Sequence, residues 1–176
     1  MTLRKINAVI SLLITFFLLD HAIFISVWML SKGSIGVSTN LIPWILTGLV
    51  LFHAFISIDV VISGIVNGNT QKGKKYFKNN ISTLIQRISG ILMLIFTVLH
   101  IAGAMGYITP PKIVHAIIPS LFFAIVLSHV AISTSKAFIT LGVGNVRFVK
   151  TIDIVVKVIC VATYIAALTG FYLCRL

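Results

Sequence analysis

The sequence predicts an all-α, polytopic membrane protein. Five transmembrane helices form one bundle, with the N-terminus cytoplasmic and the C-terminus outside. Three observations carry this. Of 176 residues, 59% are hydrophobic and only 10% charged, with a mean hydropathy of +1.12, whereas a soluble domain carries about a quarter charged residues. Five apolar stretches reach the roughly 20 residues that a helix needs to cross a bilayer. Between them, lysine and arginine fall mostly on alternate gaps.

The stretches cover residues 7–30, 41–66, 81–105, 113–134 and 151–173. The gaps read SKGSIGVSTN, NGNTQKGKKYFKNN, GYITPPK and SKAFITLGVGNVRFVK, rich in glycine, proline and polar residues. No repeat or low-complexity tract divides the chain, so residues 1–176 form a single domain. The first stretch follows Arg4 and Lys5, as a signal peptide would. It runs too far for a signal core and no small-residue cleavage site follows, so it is read as a retained span.

Arg4, Lys5, Lys72, Lys74, Lys75, Lys78, Arg87, Lys136, Arg147, Lys150 and Lys157 belong to one side of the membrane. Lys32, Lys112 and Arg175 belong to the other. The first side is cytoplasmic by the positive-inside rule. The net charge of +11 is therefore topological, and no nucleic-acid partner is expected. Cys160 and Cys174 form no CxxC pair. There is no nucleophile constellation and no phosphate-cradling glycine loop, so no catalytic residue is assigned.

The histidines carry the chemistry. His21, His53 and His100 fall in the first three spans, and His115 and His129 share the fourth. Polar groups at membrane depth are costly and tend to be functional. One such histidine can simply bond to a neighbouring helix. Histidines on four successive spans point instead to b-type haem, whose iron takes two axial imidazoles in low-spin electron carriers. At about 1.5 Å per residue, His21 lies roughly 21 Å and His100 roughly 28 Å above the inner ends of their spans, His53 roughly 19 Å and His129 roughly 8 Å. That order pairs His21 with His100 at an outer haem and His53 with His129 at an inner one. His115 lies within a turn of the outer boundary and is read as an interfacial histidine near a quinone.

These residues resemble the five-helix, diheme cytochrome b membrane subunit of succinate dehydrogenases and fumarate reductases. QRISGILMLIFTVLH matches that family's third-helix pattern, Gln-Arg-x-Ser/Thr-Gly and then a haem histidine at His100. LLDHA, LFHAF and LSHVAISTSKAFITLGV place His21, His53 and His129 in family style, and the resemblance covers nearly the whole chain. It implies two haem b groups, a quinone (menaquinone) as electron partner, and a flavoprotein and an iron–sulfur protein docked on the cytoplasmic face. The dicarboxylate chemistry of the tricarboxylic acid cycle or of anaerobic respiration would then sit on the flavin, outside this chain. A bacterial or archaeal cytoplasmic membrane is implied as its location. The chain departs from the family in having no glutamate, which puts a glutamate proton path in doubt.

The other intramembrane polar residues each have two readings. Asp20 is paired or protonated, or else it handles quinone protons or faces a haem edge. Asp59 bonds to Ser63 one turn on, or contacts haem or quinone. Arg87 anchors the cytoplasmic boundary, or pairs with a haem propionate or quinone oxygen. Ser89 is a candidate for the same neighbourhood. Gly90 and Gly103 would let a flat macrocycle or a helix approach. Asp153 and Lys157 suit a helical ion pair. Trp28 and Trp44 fit an outer aromatic belt, and the Lys72–Lys78 cluster would attract anionic lipid or dock the iron–sulfur partner. Two competing functions stay open. One is the cytochrome b subunit of another quinone-linked enzyme, of hydrogenase or formate dehydrogenase type; the other is a haem-free anchor or transporter.

Overall fold

A computed structural model describes residues 2–31, 41–66, 81–108 and 112–175. Within its helices the side chains at 29, 63–66, 112–116, 171 and 173–175 lie outside the description. The Lys72–Lys78 cluster and Lys32 also fall outside the described residues, as does the side chain of His115.

Five helices follow one another: α1 (Leu3–Leu30), α2 (Ile42–Val66), α3 (Ile81–Ala104), α4 (Lys112–Leu141) and α5 (Val146–Arg175). All five are long and apolar enough to cross a membrane. Lipid offers a backbone no hydrogen bonds, so an apolar stretch of this length satisfies its amides internally, as a helix. The hydroxyls follow the same rule. Thr15, Ser26, Thr47, Thr97, Ser128 and Thr134 each donate to the carbonyl four residues back, at 2.6–2.9 Å.

The last sequence gap is mostly helix. α4 runs on to Leu141 and α5 already starts at Val146. Hydropathy locates the lipid-facing part of a helix, not its end, and the backbone ends are set by local chemistry. Gly142 takes a left-handed φ of 90°. Its amide bonds to the Ile139 carbonyl at 3.0 Å, and that of Val143 to Phe138 at 3.1 Å. This is the glycine-terminated C-cap that a residue with a Cβ adopts only under strain. Three residues on, the Asn145 side chain accepts the Phe148 amide at 3.1 Å and caps α5. Gly106 (φ 77°) closes α3 in the same way as Gly142 closes α4.

α1 and α4 are the centre of the bundle. α1 packs against α2, α4 and α5, and α4 against α1, α3 and α5. Small side chains sit deepest at these seams: Ser26 and Thr134 are 2% exposed and Ala167 3%, as expected where close packing, rather than hydrophobic exclusion, holds helices in lipid. Ile10, Ile14, Val50, Met93 and Val126 join α1, α2, α3 and α4 in one apolar cluster. Leu127, Val130 and Cys160 form a second between α4 and α5, against Leu18 and Leu19 of α1. Many large apolar side chains face outward, among them Phe16, Phe55 and Ile91 at 62–72% exposure. On a soluble protein these would drive aggregation; here they are the lipid-facing surface.

The two ends of the bundle differ. Trp28, Trp44 and Tyr107 are exposed at one end. Arg4, Lys5, Arg87, Arg147 and Lys150 are exposed at the other.

Candidate functional site

The polar side chains of α3 and α4 meet in a seam at the basic end. Thr83, Gln86, Ser89 and Gly90 recur at helical spacing along one face of α3, and His129, Ser133 and Lys136 along one face of α4. The helices run antiparallel, so the two series zip together. Gln86 donates from Nε2 to Ser133 Oγ at 3.2 Å. Lys136 Nζ donates to Gln86 Oε1 at 3.0 Å and to Thr83 Oγ1 at 3.3 Å. Ser133 in turn donates to the His129 carbonyl at 2.6 Å.

Ser89 is buried at 7% exposure and orients His129. Its Oγ lies 2.9 Å from His129 Nδ1 and 3.1 Å from the Gln86 carbonyl oxygen. A serine has one proton to give, and a carbonyl can only accept. Both bonds hold together only if Ser89 donates to Gln86 and accepts from Nδ1–H of His129. That tautomer leaves the lone pair on Nε2. Gly90 supports the same ring from below: a Cβ there would stand 3.3 Å from His129 Cε1 and 3.7 Å from Nδ1. The imidazole therefore rests against bare backbone.

Electrostatic coupling links four of the histidines as two couples on four helices. His129 of α4 is within electrostatic range of His53 of α2, and His100 of α3 within range of His21 of α1. Among the described residues neither α2 and α4 nor α1 and α3 are principal packing partners, so neither couple lies along a tight helix seam; His21, His53 and His129 are half-buried and His100 is exposed. His53 Nδ1 is buried without a hydrogen-bond partner of good geometry, although the Asn7 backbone lies near enough to act on the ring. His100 lies beside the Phe122 ring, centroids 5.3 Å apart, and Phe122 stacks on Phe96 at 6.2 Å. His100 stands roughly 16 Å further along α3 than Ser89, at about 1.5 Å per residue, which separates the two pairs by about half the apolar thickness of a bilayer.

The count of residues from helix ends overstates the depth of His53. Asn7 Nδ2 donates to Ser57 Oγ at 3.1 Å, which places the second turn of α1 level with Ser57, while α2 continues to Val66. His53 lies about 6 Å further in than that level. The inner turns of α2 extend past the beginning of α1, which hydropathy could not reveal.

Several sequence candidates point away from these pairs. Arg87 follows Gln86 but is exposed, about 100° around the helix from the seam. Asp59 is exposed on α2. Asp20 is exposed too, although its charge reaches the neighbouring His21. Nothing lies within 4 Å of where a Cβ on Gly103 would be, so of the two glycines only Gly90 is closely approached. Asp153 and Lys157 form the expected ion pair. Sequence reading names neither Thr83 nor Ser133, and Lys136 only as a charge on the cytoplasmic side; their signal is helical spacing in phase with Gln86 and His129.

Among the described residues no three or more His, Cys, Asp or Glu side chains gather into one cluster. A macrocycle that brings its own four ligands asks the protein for only two, so two imidazoles on facing helices could hold one. A buried imidazole nitrogen without a hydrogen-bond partner of good geometry, a second imidazole fixed through Nδ1 with Nε2 left over, and a glycine beneath that ring are consistent with such a group. The chain matches no protein-family model, no curated protein and no solved structure.

Proposed function

We propose that this chain is a diheme membrane cytochrome b. In this reading it anchors a succinate dehydrogenase or fumarate reductase and conducts electrons between a membrane quinone, menaquinone, and an iron–sulfur subunit on the cytoplasmic face. The observation that carries the reading is the paired arrangement of His53 with His129 and of His21 with His100, on four different helices.

Each bound haem would supply a reversible one-electron couple. The chain's own part is to hold and tune. His53 and His129 would hold the inner group, and His21 and His100 the outer one. Ser89 fixes the tautomer of His129 and makes its ring more electron-rich by accepting from Nδ1–H, the usual role of the partner behind a metal-bound imidazole. The apolar cluster of Ile14, Val50, Met93 and Val126 keeps water out of the middle of the bundle. The seam of Gln86, Ser133 and Lys136 sets the spacing of α3 and α4, and so the position of His129. The basic end of the bundle is cytoplasmic in this reading and would face the soluble partners.

Haem b per chain, measured by pyridine haemochrome in the purified protein, tests this. Two haems are expected in the wild type, one in His100→Ala, one in His129→Ala, and two in His115→Ala. Loss of a haem in His115→Ala would move the outer ligand to the fourth span. No haem in any sample would refute the electron-conducting function and leave a bare anchor. Co-purification with a flavoprotein and an iron–sulfur protein is expected; a hydrogenase or formate dehydrogenase partner instead would change the enzyme but keep the cytochrome.

A further inference from the structure

At the basic end, the first turn of α3, the last turns of α4 and the first turns of α5 enclose a cleft of about 400 Å³. Its walls are apolar, with Ile132, Ile139 and Val149 among them, and its rim carries Lys136, Lys150 and Lys157. The one carboxylate in the lining, Asp153, is already paired with Lys157. Two positive charges are therefore left over. Lys136 spends two of its three N–H donors on neutral acceptors, Gln86 Oε1 and Thr83 Oγ1. Lys150 is exposed and forms no ion pair among the described residues. The N-terminus of α5 opens onto the same cleft through Val146 and adds its positive dipole end.

We infer that this cleft binds an anionic phospholipid, with the phosphate between Lys136 and Lys150 and an acyl chain along the Ile132–Ile139 wall. The two halves of the site match the two halves of that molecule. A water-soluble anion would have no use for the apolar wall. A zwitterionic lipid would bring its own cation to two lysines that lack a counter-charge. Basic pockets between transmembrane helices are recurrent headgroup sites. The site lies on the α4–α5 side of the bundle; it shares Lys136 with the seam beside His129, but none of the four coupled histidines lines it.

Native mass spectrometry of the full chain in neutral detergent tests it, by titration with phosphatidylglycerol and with phosphatidylcholine of the same acyl chains. Phosphatidylglycerol should bind one per chain and at least fivefold more tightly than phosphatidylcholine. Lys150→Gln should weaken phosphatidylglycerol by about fivefold and leave phosphatidylcholine unchanged. Lys150 is exposed, so this variant should keep its helicity by circular dichroism. Lys5→Gln, exposed at the same end but outside the cleft, should bind like the wild type. Equal affinity for the two lipids, equal losses in Lys5→Gln and Lys150→Gln, or no bound lipid would each overturn the assignment. Displacement of the lipid by inorganic phosphate at matching concentration would overturn it as well, by making the cleft an ion site.

Discussion

Replacing Ser89 by alanine removes one oxygen and tests the tautomer argument directly. In the wild type that oxygen accepts from His129 Nδ1–H at 2.9 Å. Without it the imidazole donates less charge through Nε2, and the oxidised form of a metal held there is less stabilised. The potential of the inner haem should therefore rise. The net worth of such a bond, about 0.5–1.5 kcal/mol, bounds the effect. A factor of ten in equilibrium constant corresponds to about 59 mV for one electron, so the expected rise is on the order of 20–60 mV. The outer haem, roughly 16 Å along the helix, should move far less. Ser89→Thr keeps a hydroxyl and should restore most of the wild-type value. The assay is a potentiometric titration of the α-band in purified protein, with haem content checked first. An unchanged inner potential, a fall, or an equal shift of both haems would refute the role assigned to Ser89.

Gly90→Ala places a methyl 3.3 Å from His129 Cε1. The ring must give way by a few tenths of an ångström, and haem content is expected to fall toward one per chain while helicity stays constant. Lys136→Met removes the bonds to Gln86 and Thr83. It should lower stability by about 1–2 kcal/mol, read as an earlier thermal unfolding of the detergent-solubilised chain; an unchanged transition would show that the seam does not hold α3 to α4. Gly142→Ala forces a residue with a Cβ to a φ of 90° and should cost about 1 kcal/mol in the same assay. A stabilised Gly142→Ala variant would contradict the cap described here.

Much of the architecture was legible in composition and hydropathy. Five spans were countable because lipid cannot solvate a backbone, which turns a global requirement into a local one that each apolar stretch meets alone. The ion pair of Asp153 with Lys157 was readable for the same reason, since a single helix sets the distance between residues four apart. α5 begins at Val146, ahead of residue 151 where the apolar stretch starts, because the caps at Gly142 and Asn145 set the helix ends while hydropathy reads only the lipid-facing part. Gln86 and Ser89 were recognisable as part of a motif, yet nothing in the motif named their partners on α4.

Arg87, Asp20 and Asp59 mark the boundary between the two kinds of information. Residue type made each a candidate, and only the rotation of each helix against its neighbours turned them outward. The same holds for depth: the level of His53 depended on how far α2 slides past α1, a quantity set by the Asn7–Ser57 contact. The sequence by itself determined that the chain spans the membrane, how many times, and which residues carry polar chemistry inside it, because those are properties of single helices in lipid. Tertiary structure alone decided that α1 and α4 form the centre, that Ser89 and Gly90 support His129, and that three lysines gather at one cleft. Those relations join residues distant in sequence, and helix packing in a bilayer is settled by close fit and a few polar contacts rather than by any pattern along one strand of the chain.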